Sequence, residues 1–222
     1  MNPSIIYEDN HLLALNKPAG WLVQGDRTGD ATLTDWGREY LKEKYAKPGA
    51  VFLHPVHRID RPVSGAVLFA RTDKALGRLT TLFRDKQVAK TYLALVVKEP
   101  KQAAGELRHF LVKDEKRNLV QAFSQPGGDG KESITRYETA GRSGPYWLLR
   151  VFPLTGRPHQ IRAQLAAMGC PIAGDLKYGA SAALPDASIG LHCLEMNLLH
   201  PVKKENLRIT AELPDKPWWK KV

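Results

Sequence analysis

Cysteine is scarce in this chain. Its 222 residues include two, Cys170 and Cys193, and neither stands in a Cys-x-x-Cys arrangement. That excludes a disulfide-stapled scaffold and a cysteine-rich zinc fold. Long apolar runs are missing, so no membrane-spanning helix is expected. A Walker-type phosphate loop is missing as well. The cluster Gly127-Gly128-Asp129-Gly130 reads as a turn with no helix after it, not as a dinucleotide fingerprint. The metal-ligand candidates are His54-x-x-His57, His192 beside Cys193, and His200. None has the spacing of a common zinc site, so neither metal nor cofactor is expected. Met1-Asn2-Pro3-Ser4 lacks the basic-then-apolar pattern of an export signal, and reduced thiols in the cytoplasm are the simplest reading. No repeat and no low-complexity linker is found.

What the chain has in excess is positive charge. Lys and Arg total 33 against 23 Asp and Glu, a net +10. Such an excess points to a polyanionic partner, RNA or DNA before an acidic membrane surface. The basic residues are scattered with no block of like charge, which suits a folded basic groove better than a disordered tail. A hydrophobic fraction of 43% and a charged fraction of 25% are ordinary for a globular domain.

Ile5-Ile6-Tyr7 and Leu12-Leu13-Ala14-Leu15 read as strands around a polar turn, followed by a loop at Asn16-Lys17-Pro18-Ala19-Gly20. Thr32 and Asp35 form a capping box for a helix with Leu33, Trp36, Tyr40 and Leu41 on one side, ended by Lys47-Pro48-Gly49. Gly65 to Phe69 is an apolar strand. Thr72 caps a second helix with a stripe of Ala75, Leu76, Leu79, Leu82 and Phe83. Thr91 to Val97 reads as a strand buried on both faces, and residues 105 to 152 as antiparallel strands and hairpins. Pro158 suits the first turn of a helix running to Met168, with Ile161, Leu165 and Met168 toward the core. A surface loop at 180–188, strands near 190–198 and 207–213, and a short tail at Trp218-Trp219-Lys220-Lys221 complete the chain. Strands mixed with helices argue for one α+β domain over 1–222, with a core of about 5–214.

Three segments carry candidate chemistry. In His57-Arg58-Ile59-Asp60-Arg61-Pro62-Val63-Ser64-Gly65 one carboxylate sits among three basic side chains. Nearby positive charge keeps a carboxylate ionised, as a nucleophile or base requires. If the segment is extended, Arg58 and Asp60 share a face. Alone, an Asp beside Arg is more often a surface salt bridge. In Lys90-Thr91-Tyr92-Leu93-Ala94 the Tyr92 ring could stack on a planar substrate, although a core tyrosine is the plainer reading. In Thr155-Gly156-Arg157-Pro158-His159-Gln160-Ile161-Arg162 a helix start favours an anion, and Arg157, His159 and Arg162 add donors. By itself this reads as a solvated helix start, with His159 and Arg162 turned away from the apolar stripe.

In this order and spacing the three segments resemble the RluA-type pseudouridine synthases, from about Tyr7 to Pro214. The family's His-Arg-Leu-Asp-Arg-x-Thr-Ser-Gly is His57 to Gly65, with Ile59 for Leu and Val63 for Thr. Its Lys-x-Tyr-x-Ala is Lys90 to Ala94, and its Thr-Gly-Arg-x-His-Gln-Ile-Arg is Thr155 to Arg162. Further matches are Asn16 to Gly20, Gly169 to Gly179, Leu191-His192 and His200-Pro201. Cys170 and Gln164 stand where relatives usually have His, and Gln24-Gly25 where they often have His-Pro. Many relatives carry a small N-terminal RNA-binding module of S4 type, and none is expected here.

The resemblance implies an α+β fold: a long mixed, mostly antiparallel sheet flanked by helices, with a central active-site cleft. It implies an RNA-modifying isomerase in which Asp60 is the catalytic carboxylate, Tyr92 stacks on the target base and Arg162 pairs with Asp60. Arg58 would displace the base, and His57, Arg61, Lys90, Arg157, His159 and Ile161 would line the substrate site. The expected partner is tRNA or large-subunit rRNA, and the expected state a monomer without cofactor. The competing readings are a non-catalytic RNA-binding or assembly protein on the same scaffold and a hydrolytic glycosylase or nuclease.

Overall fold

The computed structural model describes residues 2–26 and 28–220; Met1 of the N-terminal stretch and Lys221 of the tail lie outside the described residues. In chain order the elements are β1 (Ser4–Glu8), β2 (Leu12–Lys17), α1 (Leu33–Lys44), β3 (His54–Pro55), β4 (Ser64–Ala70), α2 (Asp73–Arg84), β5 (Ala89–Val96), β6 (Ala104–Asp114), β7 (Leu119–Phe123), β8 (Lys131–Ser143), β9 (Tyr146–Pro153), α3 (Gln160–Ala167), β10 (Leu191–Leu199) and β11 (Asn206–Thr210). Two short turns of 3-10 helix lie at Leu176–Tyr178 and Pro217–Trp219. The chain divides into two compact units, Met1–Ala89 with Cys193–Leu213 and Lys90–His192 with Pro214–Val222.

In the first unit β2 pairs antiparallel with β1 on one side and β4 on the other, and β3 also lies against β4. Every residue of β4 is buried, which explains a sequence apolar without alternation. The capping box at Thr32 forms as read, its side chain accepting from the Asp35 N–H at 3.1 Å. Helix α1 stops at Lys44, before the Lys47-Pro48-Gly49 signal. Thr72 caps α2, which buries Ala75 and Leu79. Gly65 is obligatory. Its φ is +115°, and a Cβ there would stand 2.3 Å from the Cys193 carbonyl oxygen. The Glu8 carboxylate gathers the end of α1: Tyr40 and Tyr45 hydroxyls donate at 2.7 and 2.6 Å, Lys44 at 2.8 Å and Arg71 at 3.1 Å.

The segment before β4 forms no strand of its own. His57 to Asp60 is irregular, and a turn follows, closed by the Val63 N–H donating to the Asp60 carbonyl at 3.0 Å. A long-range clasp holds this turn. Lys17 is 0% exposed, and its ammonium donates to the carbonyls of Pro18 (3.1 Å), Trp21 (2.8 Å) and Arg61 (3.1 Å). The Gly20 N–H donates to the same Arg61 carbonyl at 2.8 Å. The Arg61 side chain returns the contact, its Nε donating to the Gly20 carbonyl at 3.0 Å and its Nη1 pairing with Asp30 at 2.8 Å. Two loops distant in sequence are thereby locked together beside Asp60. Burial pulls the Lys17 ammonium down to about 7; the Asp60 carboxylate opposes that fall and Arg61 adds to it.

In the second unit β5 pairs antiparallel with β9, β9 with β8, β8 with β6 and β6 with β7. Helix α3 packs on β6, β7 and β8, with Leu111, Val120, Ala163 and Tyr178 forming a shared apolar cluster. The helix differs from expectation. It begins at Gln160, and Pro158 precedes it; His159 is the N-cap at φ +49°. The Gln160 side chain replaces the missing turn, accepting from the Arg157 N–H (3.0 Å) and the Thr155 hydroxyl (2.8 Å) and donating to Thr135 Oγ1 (2.8 Å) and the Ile134 carbonyl (3.1 Å). One turn on, Gln164 accepts from the Thr135 hydroxyl at 2.6 Å and donates to the Leu107 and Ser133 carbonyls, both at 3.0 Å. These satisfied amides let α3 be buried from Gln160 to Leu165. At the C-terminus Trp219 is buried, so the short tail is docked on the unit.

Two outcomes are expected. Burial alone would raise the Glu8 carboxyl, but hydrogen bonds from Lys44, Tyr45 and Tyr40 prevail and hold it at about 2. Its stabilising contribution is therefore present above the unfolded value near 4.5 and lost as pH falls toward 2. Glu8→Gln should cost about 1–3 kcal/mol at neutral pH, and urea melts should show the deficit shrinking in acid. Lys17 has the opposite chemistry. It gives up its proton near 7 folded and near 10.5 unfolded, so its contribution rises with pH across that window. Lys17→Met orphans three carbonyls and should cost about 2–4 kcal/mol, with the wild-type advantage growing from pH 7 to pH 10.

Candidate active site

Asp60 lies in the first unit, half-buried, at the start of the clasped turn. The backbone around it is fixed from three directions: by Lys17 on the next carbonyl, by the turn bond to Val63, and by the entry of the chain into β4 opposite Lys17. His57 is half-buried. Its Nε2 accepts from the Leu68 N–H at 3.1 Å and its ring stacks on Phe83 at 5.1 Å, so it shapes the loop from below. Arg58 is exposed. Arg61, expected at the substrate, is exposed and also joins the clasp, its guanidinium meeting the Gly20 carbonyl and the Asp30 carboxylate.

The other expected residues lie in the second unit. Tyr92 is 8% exposed on β5, opposite Val151. Lys90 is half-buried close to Gly156, where a Cβ would stand 3.7 Å from its ammonium. Arg157 is exposed and Ile161 buried. His159 Nδ1 lies 2.8 Å from the Tyr178 hydroxyl.

Arg162 departs most from the expectation of a solvated helix face. Its side chain is 6% exposed and is held by a carboxylate, Asp175, itself 1% exposed. Nε donates to Oδ2 at 2.7 Å and Nη2 to Oδ1 at 2.8 Å. The guanidinium carbon stands 4.9 Å from the Tyr178 ring centroid. A buried guanidinium needs such a partner, since an unpaired buried charge is prohibitive.

Three residues were not among the expected site positions: Lys17, Asp175 and Tyr178. Each left a faint signal. A lysine closing the apolar run Leu12 to Leu15 is a cation where the pattern asks for burial, and Asp175-x-x-Tyr178 pairs an acid with an aromatic three positions on. Among the described residues no group of three or more His, Cys, Asp or Glu side chains could hold a metal ion.

The first unit offers a carboxylate on a clasped basic loop; the second offers a buried tyrosine and a guanidinium held by Asp175. Residues 11–167 match the family model described as RNA pseudouridylate synthase. The chain is 38% identical over 213 residues to the ribosomal large subunit pseudouridine synthase C of Vibrio vulnificus, covering 96% of this chain and 63% of that protein. It is 33% identical over 232 residues to the tRNA pseudouridine synthase C of Haemophilus influenzae, covering 96% and 94% respectively. It thus spans less than two thirds of the length of the Vibrio large-subunit relatives, at 63% to 66%. Among solved structures, human RNA pseudouridylate synthase domain containing 4 superposes with a TM-score of 0.78 at 25% identity, over 95% of this chain and 88% of that one. The α+β pseudouridine synthase fold expected from the motifs is therefore the fold observed. With a family match over most of its length and relatives above 30% identity, the chain belongs to the RNA pseudouridylate synthase family.

Proposed function

We propose that this chain isomerises specific uridines of a structured tRNA or large-subunit rRNA to pseudouridine, with Asp60 as the catalytic carboxylate. The observation that carries the reading is the family match that spans Asp60, on a loop clasped by the buried Lys17 ammonium. Relatives acting on both RNA classes are similar to it by name. The net charge of +10 suits a polyanionic substrate. On this reading the chain works as a monomer in the reducing cytoplasm, where Cys170 and Cys193, both buried, stay as thiols.

The reaction breaks the N1–C1′ bond, turns the uracil and joins C5 to C1′, while the C5 proton leaves. It is redox-neutral and consumes no co-reactant. A stacked uridine must first be everted, at a cost of a few kcal/mol. Basic side chains on the backbone offset that cost, and affinity should fall steeply with salt. On this reading Tyr92 offers a stacking face, worth about 1–3 kcal/mol on comparable platforms. Two routes begin from the same ionised Asp60: attack on C1′, as a retaining glycosidase does, or removal of the C2′ proton. Arg162 would keep that carboxylate charged and oriented.

The test is release of tritium from C5 of uridine in tRNA and large-subunit rRNA transcripts. Isomerisation must expel the label, whereas binding or hydrolysis leaves it in place. Asp60→Ala and Asp60→Asn are expected to abolish release while RNA binding in a filter assay persists. Release near the wild-type rate from either variant would remove Asp60 from the mechanism. Arg162→Lys cannot form the two-toothed contact and should lower turnover by at least about tenfold.

A further inference from the structure

The Arg162 site contains more order than a salt bridge needs. Asp175 and Tyr178 come from one compact turn. The Tyr178 and Ala180 N–H groups donate to the Asp175 carbonyl at 3.0 and 3.1 Å, and the Asp175 N–H donates to the Ile172 carbonyl at 3.0 Å. Gly174 before it has φ +80°, and a Cβ there would meet the Ser188 carbonyl at 2.7 Å. The turn aims the carboxylate at one edge of the guanidinium and sets the Tyr178 ring under its central carbon, 4.9 Å from the ring centroid. The tyrosine is itself anchored. Its hydroxyl accepts from the Val120 N–H at 2.9 Å and lies 2.8 Å from His159 Nδ1.

We propose that Asp175 and Tyr178 are positioning residues for Arg162, fixing the plane and direction of its guanidinium for the isomerisation. A carboxylate fork on the Nε and Nη2 edge takes two of the five N–H donors. The remaining three then point in directions set by covalent geometry alone. The Tyr178 ring, with the guanidinium carbon 4.9 Å over its centroid, limits movement away from the fork. The inference rests on the proposed function, because turnover is its readout.

The experiment is a double-mutant cycle on tritium release. Asp175→Asn is expected to lower kcat by 10-fold to 100-fold with KM for RNA within about twofold. In an Arg162→Met background the same change should have no further effect, since there is nothing left to position. That double variant also removes the buried unpaired cation and should fold where Asp175→Asn alone fails. Tyr178→Leu, which removes the ring but no charge, provides the second cycle and should lower kcat, not KM. Thermal melts establish which variants are folded. The proposal is overturned if folded Asp175→Asn or Tyr178→Leu retains kcat within threefold, if the losses multiply with that of Arg162→Met, or if they fall on KM. A wild-type protein that releases no tritium from either RNA would instead overturn the proposed function itself.

Discussion

Lys17 has no exposure to solvent, yet it carries an ammonium, and the shape of the Asp60 loop follows from that placement. An ammonium has three donors and no acceptor, so burying one requires a cage of oxygens. Pro18, Trp21 and Arg61 supply the cage, and in doing so the two loops become one structure. Desolvating the charge is costly. The fold accepts that cost where an apolar residue would leave the carbonyls unpaired, and the return is a carboxylate whose backbone has little freedom. The second unit uses the converse device, a buried guanidinium held by a buried carboxylate over a tyrosine ring. In both units a charged side chain is fixed by partners already satisfied within the unit. Such preorganisation spares a catalyst reorganisation at the moment of reaction.

Local signals wrote most of the secondary structure plainly. The caps at Thr32 and Thr72 and the apolar run of β4 depend on residues within a few positions of one another, and they formed as read. The clasp beside Asp60 is not legible in the sequence, because the lysine that holds the Arg61 carbonyl lies more than forty positions earlier in the chain. The burial of Arg162 was hidden for the same reason. Its periodicity placed it off the apolar stripe, and nothing within α3 announces a carboxylate waiting at position 175. The start of α3 was misplaced because Pro158 is a good first-turn residue in general, whereas here a glutamine side chain closes the preceding loop. Each shortfall involves a polar group satisfied by a partner distant in sequence, which propensity and spacing do not encode.

Family membership and geometry make separate contributions. The match of residues 11–167 establishes the family, and the relatives include both rRNA-named and tRNA-named synthases, so it does not select the RNA. Geometry explains why the motif residues have the identities they do. Arg61 serves the clasp through its carbonyl and its guanidinium together. His57 takes a backbone N–H and stacks on Phe83. Gly65 admits the Cys193 backbone. Motif positions such as His57 and Arg61 thus make structural contacts within their own unit.

The most direct measurement is a map of pseudouridine in tRNA and rRNA from cells that lack this chain, complemented with the wild type or with Asp60→Ala. A defined uridine should lose its isomerisation in the deletion, regain it with the wild type and stay unmodified with the alanine variant. An unchanged map, or restoration by the alanine variant, would contradict the account.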